Sequence, residues 1–92
     1  METRVAVLAI IVREGSSVQP LNELLHQYGQ YIIGRMGVPY RERGLSIIAL
    51  LVDGNTDALG AMTGKLGNIP GVKVRSVLLT AAGRELSPKE DS

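Results

Sequence analysis

Two apolar runs constrain this chain more than any other feature. They are Val5-Ala-Val-Leu-Ala-Ile-Ile-Val12 and Leu45-Ser-Ile-Ile-Ala-Leu-Leu-Val52. Neither alternates apolar with polar side chains, so each predicts a strand buried on both faces. In the first run Ala6, Leu8, Ile10 and Val12 point one way, and Val5, Val7, Ala9 and Ile11 the other. In the second, Leu45, Ile47, Ala49 and Leu51 oppose Ser46, Ile48, Leu50 and Val52. A 92-residue chain with two helices can shield only one face of such a sheet. We assign Val5, Val7, Ile11, Ile48 and Leu50 to the bare face. Monomers rarely leave so large an apolar patch in water. The expectation is a homo-oligomer, a dimer or tetramer, with face-to-face sheet packing about a two-fold axis. Edge pairing through the second or fourth strand is the alternative.

The rest of the chain supplies the remaining elements. Ser16 or Ser17 can cap a helix in which Val18, Leu21, Leu24, Leu25 and Tyr28 share one face, with Gly29 ending it. A second strand is expected over residues 30–38, followed by a polar connection over 39–44. Asn55 or Thr56 caps a second helix, striped by Leu59, Met62, Leu66 and Ile69 and stopped by Gly67 as its C-cap and by Pro70-Gly71. The last strand covers residues 72–80. The order βαββαβ with right-handed crossovers predicts an α+β, ferredoxin-like sandwich. Its sheet is antiparallel, in the order 4-1-3-2, with both helices on one face. The apolar strands are then central, while Arg35, Lys73 and Arg75 mark the edges. Residues 1–82 form one domain, and the polar residues 83–92 a flexible tail.

Composition narrows the function classes. The chain has no cysteine and one histidine, His26, too few for a transition-metal site within one copy. No cofactor is expected. The absence of cysteine fits a cytoplasmic setting, and no signal peptide precedes the first strand. The longest uncharged apolar stretch is far shorter than the ~20 residues a bilayer requires. A net charge of +1 speaks against a dedicated nucleic-acid surface. Three tyrosines, without Phe or Trp, make no base-stacking platform. Asp53 and Asp57 read as turn and helix-start charges, and no nucleophile–His–acid spacing appears, so an enzyme is not expected.

Two segments stand out. Gly34-Arg-Met-Gly-Val-Pro-Tyr-Arg-Glu-Arg-Gly44 places three glycines, three arginines and a tyrosine around a hairpin. Arg35, Tyr40, Arg41 and Arg43 are candidate contacts to an anionic ligand, because guanidinium grips carboxylates and phosphates bidentately. The plainer reading is a solvated hairpin tip. Gly60 and Gly64, one turn apart on the second helix, allow another backbone or a ligand to approach. The plainer reading there is a weak helix packed on its apolar side only.

The element order resembles ACT-type regulatory domains and the C-terminal ligand domain of nickel-responsive repressors. The block from Gly34 to Gly44 with Ser46-Ile-Ile48, and Thr63-Gly-Lys-Leu-Gly-Asn-Ile-Pro-Gly-Val72, are closer to the small iron-only hydrogenase system regulators. The resemblance covers residues 3–79. It implies a cytoplasmic bacterial protein, ferredoxin-like and oligomeric, linked to transcriptional control of hydrogenase. Nickel-responsive repressors carry a ribbon-helix-helix segment before the ligand domain, whereas Arg4 already opens the ligand-type domain here. They also bind nickel through histidines and a cysteine, so neither DNA binding nor nickel sensing carries over.

The resulting expectation is a non-enzymatic sensor domain. It binds a small effector or a partner protein at a subunit interface. Direct DNA binding by an oligomer, through Lys73, Arg75, Arg41 and Arg43, is the second hypothesis. A small enzyme with an interfacial site is the third.

Overall fold

The computed structural model describes residues 3–13, 15 and 18–78. Strand β1 (Arg4–Arg13) leads to helix α1 (Val18–Gln27), and a 3-10 turn (Gly29–Tyr31) to β2 (Ile32–Tyr40). A second 3-10 turn (Arg41–Arg43) joins β2 to β3 (Leu45–Gly54). Helix α2 (Thr56–Gly67) and β4 (Val72–Leu78) follow. The sheet is antiparallel throughout, in the order β2-β3-β1-β4. This is the expected ferredoxin-like α+β sandwich, with the two apolar strands at its centre. The expected caps Ser16 and Ser17 and the tail 83–92 lie outside the described residues.

One face of the sheet meets both helices. Ala6, Leu8, Ile10 and Val12 from β1 pack there with Ile48, Leu50 and Val52 from β3 and Val72 from β4. Leu21 and Leu25 of α1, Tyr28 just after it, and Leu59, Met62 and Leu66 of α2 close the core. The core is aliphatic save for Tyr28, whose ring lies 6.0 Å from that of Tyr31. Lys65 Nζ sits 5.4 Å above the Tyr28 ring, tying α2 to the end of α1.

Helix α2 begins where Asn55 Oδ1 accepts the Ala58 N–H at 2.7 Å. This fills one of the donors that a helix start leaves without a partner. Its other end differs from expectation. Gly67 is the last helical residue rather than the cap, and it is not left-handed. The Asn68 N–H reaches both Gly64 O and Lys65 O at 3.2 Å, so the final turn tightens and ends on a right-handed Asn68. Gly29 likewise makes no left-handed cap but opens the 3-10 turn. That turn moves the start of β2 to Ile32 and its end to Tyr40. Pro39 is accommodated because β2 is an edge strand.

Strand β2 contains a bulge. Ile32 pairs with Val52 and Gly34 with Leu51, leaving Ile33 without a register partner and 65% exposed. A one-residue insertion sends every later side chain to the opposite face. Gly34 therefore lies over Leu51, where a Cβ would come within 2.7 Å of Leu51 Cδ1. Gly54 is held more tightly. An added Cβ there would meet the Tyr31 ring at 2.7 Å and Leu59 Cδ2 at 3.4 Å.

Two expectations follow for stability. Asn55→Ala should cost about 1 kcal/mol through the lost cap, read as a urea midpoint lower by roughly 0.5–1 M. Gly60→Ala should instead stabilise by up to about 1 kcal/mol, because a Cβ there meets nothing within 4 Å. A lower midpoint for Gly60→Ala would mean that the space beside α2 is filled.

Candidate functional site

The sheet face away from the helices carries a contiguous set of exposed apolar side chains. Val5, Val7, Ala9 and Ile11 of β1 occupy it, as expected. In β3 the exposed apolar side chains are Ile47 and Leu51, with Ala49 half-buried between them. The assignment of Ile48 and Leu50 to this face is corrected. They are 7% and 0% exposed and belong to the core. The register explains this: Ile48 pairs with Ile10 and Leu50 with Leu8, both helix-facing. Beyond the bulge, Met36, Val38 and Tyr40 of β2 join the open face opposite Ala49, Ile47 and Leu45. Val77 of β4 joins it opposite Val7. Its charges are Arg75 beside Ala9 and Lys73 beside Ile11 on β4, and Asp53 beside Val5 at the end of β3.

The hairpin residues divide between surfaces. Arg35 pairs with the core residue Leu50, so its side chain projects on the helix side. Tyr40 pairs with Leu45 and projects on the open side. Arg41 and Arg43 stand exposed on the 3-10 turn, which Gly44 closes by donating to Arg41 O at 3.0 Å with φ +66°. The structure thus gathers Arg41 and Arg43 but not Arg35 with Tyr40.

A groove opens between each helix and the sheet. One lies between the first turns of α1 and the exposed half of β2, with a volume of about 240 Å³. Val12, Leu21 and Ile48 form its apolar part, and Asn22, Ser46 and Arg35 are its polar lining. The other, about 420 Å³, runs between α2 and the β1–β4 pair. Gly60, Thr63 and Gly64 line it on one side, Ala6, Ser76 and Leu78 on the other. Gly60 and Gly64 therefore border a groove rather than a flat helix face. Sequence reasoning gave a contact role to neither Asn22 nor Ser46, since their placement arises only from the meeting of α1 with β2 and β3.

His26 is exposed on α1. Among the described residues no three His, Asp or Glu side chains come together to hold a metal. No helix among them is long and apolar enough to cross a membrane. Arg41, Arg43, Arg13 and Lys73 share one end of the sheet with Glu42, whereas Asp53 and Asp57 mark the other.

The comparisons with known proteins agree with this architecture. A family model described as "TM1266-like: Iron-only hydrogenase system regulator, putative" matches residues 4–76. The solved structure of the uncharacterized protein TM1266 from Thermotoga maritima is 40% identical, with a TM-score of 0.83. That match covers 86% of this chain and 100% of the other. LarC2, the C-terminal domain of a cyclometallase involved in synthesis of the NPN cofactor of lactate racemase, in its apo form, is 18% identical with a TM-score of 0.41. It covers 82% of this chain and 56% of that one. No curated protein matches the chain. Matched by the family model over residues 4–76, and 40% identical to a relative covered end to end, this chain belongs to the TM1266-like family, whose description designates a regulator of an iron-only hydrogenase system and not an enzyme.

Proposed function

We propose that this chain is a non-enzymatic regulatory module. It acts as a homo-oligomer assembled through its open sheet face, and it binds a small effector or a partner protein beside that assembly. The observation that carries the reading is the open face itself. The four strands run seven to ten residues, and at a rise of ~3.3 Å per residue and a spacing of ~4.8 Å they present a face of roughly 570 Å². That is the top of what monomers leave exposed and approaches the ~800 Å² per partner of a standard interface. At ~25 cal/mol per Å² of apolar surface, its burial offsets the cost of association. The face carries no acidic side chain between Val5 and Ile11 or between Leu45 and Leu51. An identical face can therefore pack along β1 and β3, leaving Lys73 and Arg75 on the β4 edge and Asp53 at the end of β3.

A regulatory role needs a ligand with different affinity for two states of the assembly. The α1–β2 groove with Arg35, and the Arg41–Arg43 turn, are where such a ligand would find cations. A second reading, direct DNA binding by the oligomer, draws on the gathering of Arg41, Arg43 and Lys73 at one end of the sheet. In a single copy Arg41 and Arg43, on the turn between β2 and β3, are separated by β3 and β1 from Lys73 and Arg75 on β4, so a continuous basic strip would have to come from the assembly. Retardation of duplex DNA that fades steeply with salt would favour that reading.

Light scattering tests the main proposal. The full chain should show the mass of a dimer or tetramer at micromolar concentration. Val7→Glu, which puts a charge at the centre of the open face and leaves the core intact, should run as a folded monomer. A monomeric parent protein, or a Val7→Glu variant of unchanged mass, would remove the open face as the interface.

A further inference from the structure

We infer that the groove between α1 and β2 binds a small monocarboxylate with an apolar body, held through its carboxylate by Arg35. This rests on the ligand-binding reading above and gives that ligand a chemical class. The groove is built within one chain, so its occupation does not depend on assembly.

Three observations converge on it. The first is shape. A volume of about 240 Å³ falls below the ~300 Å³ at which sites for drug-sized ligands begin, and so admits only a small molecule. Val12, Leu21 and Ile48 supply an apolar floor that a strongly hydrated ligand would not cover.

The second is an uncommitted cation. The register of β2 puts the Arg35 side chain on the groove side. Its guanidinium has no hydrogen bond or ion pair among the described residues. The side chains of Asn22 and Ser46 are likewise without hydrogen-bond partners there. A guanidinium offers paired N–H donors in a planar fork that matches a carboxylate. One fork neutralises one charge. A phosphate dianion would keep an uncompensated charge above the apolar floor, which favours the monoanion. Asn22 and Ser46 can supply further donors or acceptors to the polar end.

The third is Gly37. It lies opposite Ile48 in the interior of β2 and lines the groove. Its φ is not in the left-handed region, and an added Cβ would meet only Ile48 Cγ1, at 3.9 Å. Glycine weakens a strand interior, and neither the backbone nor the packing requires it here. A larger side chain at this position would project into the groove. Glycine keeps it open.

The test is a titration of the full-length, ¹⁵N-labelled protein with 3-phenylpropionate, and in parallel with its neutral isostere 3-phenylpropionamide. The acid should shift the amides of Asn22, Gly37 and Ser46 saturably and bind at least about tenfold more tightly than the amide, the factor expected of a charge-assisted pair worth roughly 1.5–3 kcal/mol. Arg35→Gln should erase that preference. Gly37→Val should block both compounds while the rest of the spectrum stays in place. Equal binding of acid and amide, an unchanged preference in Arg35→Gln, or no saturable groove shifts at millimolar probe would each overturn the inference. Light scattering on the same sample separates this outcome from the assembly. An oligomer without groove shifts overturns the groove alone. A monomer with saturable groove shifts overturns the assembly and leaves the groove standing.

Discussion

Everything in this molecule depends on a central strand pair that is apolar on both faces. Strands β1 and β3 pair over ten registered positions, from Arg4 opposite Gly54 to Arg13 opposite Leu45. One face of that pair disappears under α1 and α2, and side chains such as Ile10, Leu50 and Val52 lose all contact with water. The other face keeps Val5, Val7, Ile11, Ile47 and Leu51 in water. A sheet with one solvated face would ordinarily alternate apolar with polar residues. Here the polar half of the alternation is missing, and no element of the described chain covers the gap. The hydrophobic effect that folds the domain is therefore left half-used, which is why the open face dominates the functional reading.

The bulge at Ile33 decides what β2 contributes to each side. Without the inserted residue, Gly34, Met36, Val38 and Tyr40 would continue on the side of Ile32, toward the helices. Arg35, Gly37 and Pro39 would then lie on the open face, placing a cation in the apolar patch. With the bulge, the apolar residues extend the open face by a third strand, and the cation moves into the α1–β2 groove. The steric condition for this arrangement is local. Gly34 must be glycine, because it lies directly over Leu51.

Much of this was legible in the sequence. The unbroken apolar runs marked the central strands, and the βαββαβ order with charged outer strands gave the sheet order. Asn55 was readable as a cap because its side chain acts over three residues. What could not be read depended on long-range register. A run such as Leu45–Val52, apolar on both faces, carries no internal mark of which half meets the helices. Ile48 and Leu50 went to the wrong face for that reason, and only their pairing with Ile10 and Leu8 settles it. Arg35 and Tyr40 belong to one arginine-rich block, but five residues apart in a strand they fall on opposite faces, and which face each takes is set by a bulge that leaves no periodic signal. Gly67 looked like a left-handed cap, yet Asn68 ends α2 through a bifurcated bond that residue type alone does not announce.

The two surfaces are not independent, because they share β2. This edge strand is exposed on both sides from Arg35 to Tyr40, and it contacts the rest of the fold through β3. A ligand in the groove would touch Arg35 and Gly37 on one side of it. A second copy on the open face would touch Met36 and Val38 on the other. Coupling between two sites requires an element whose arrangement both can bias. As an edge strand, β2 is anchored by pairing on one side only and interrupted by a bulge, and it is the part both occupants would press upon. A shift of β2 relative to β3 would change the fit of the open face without disturbing the core beneath Leu50 and Val52. In this architecture the core supplies the rigidity, and the exposed half of β2 supplies the freedom that a regulatory module needs.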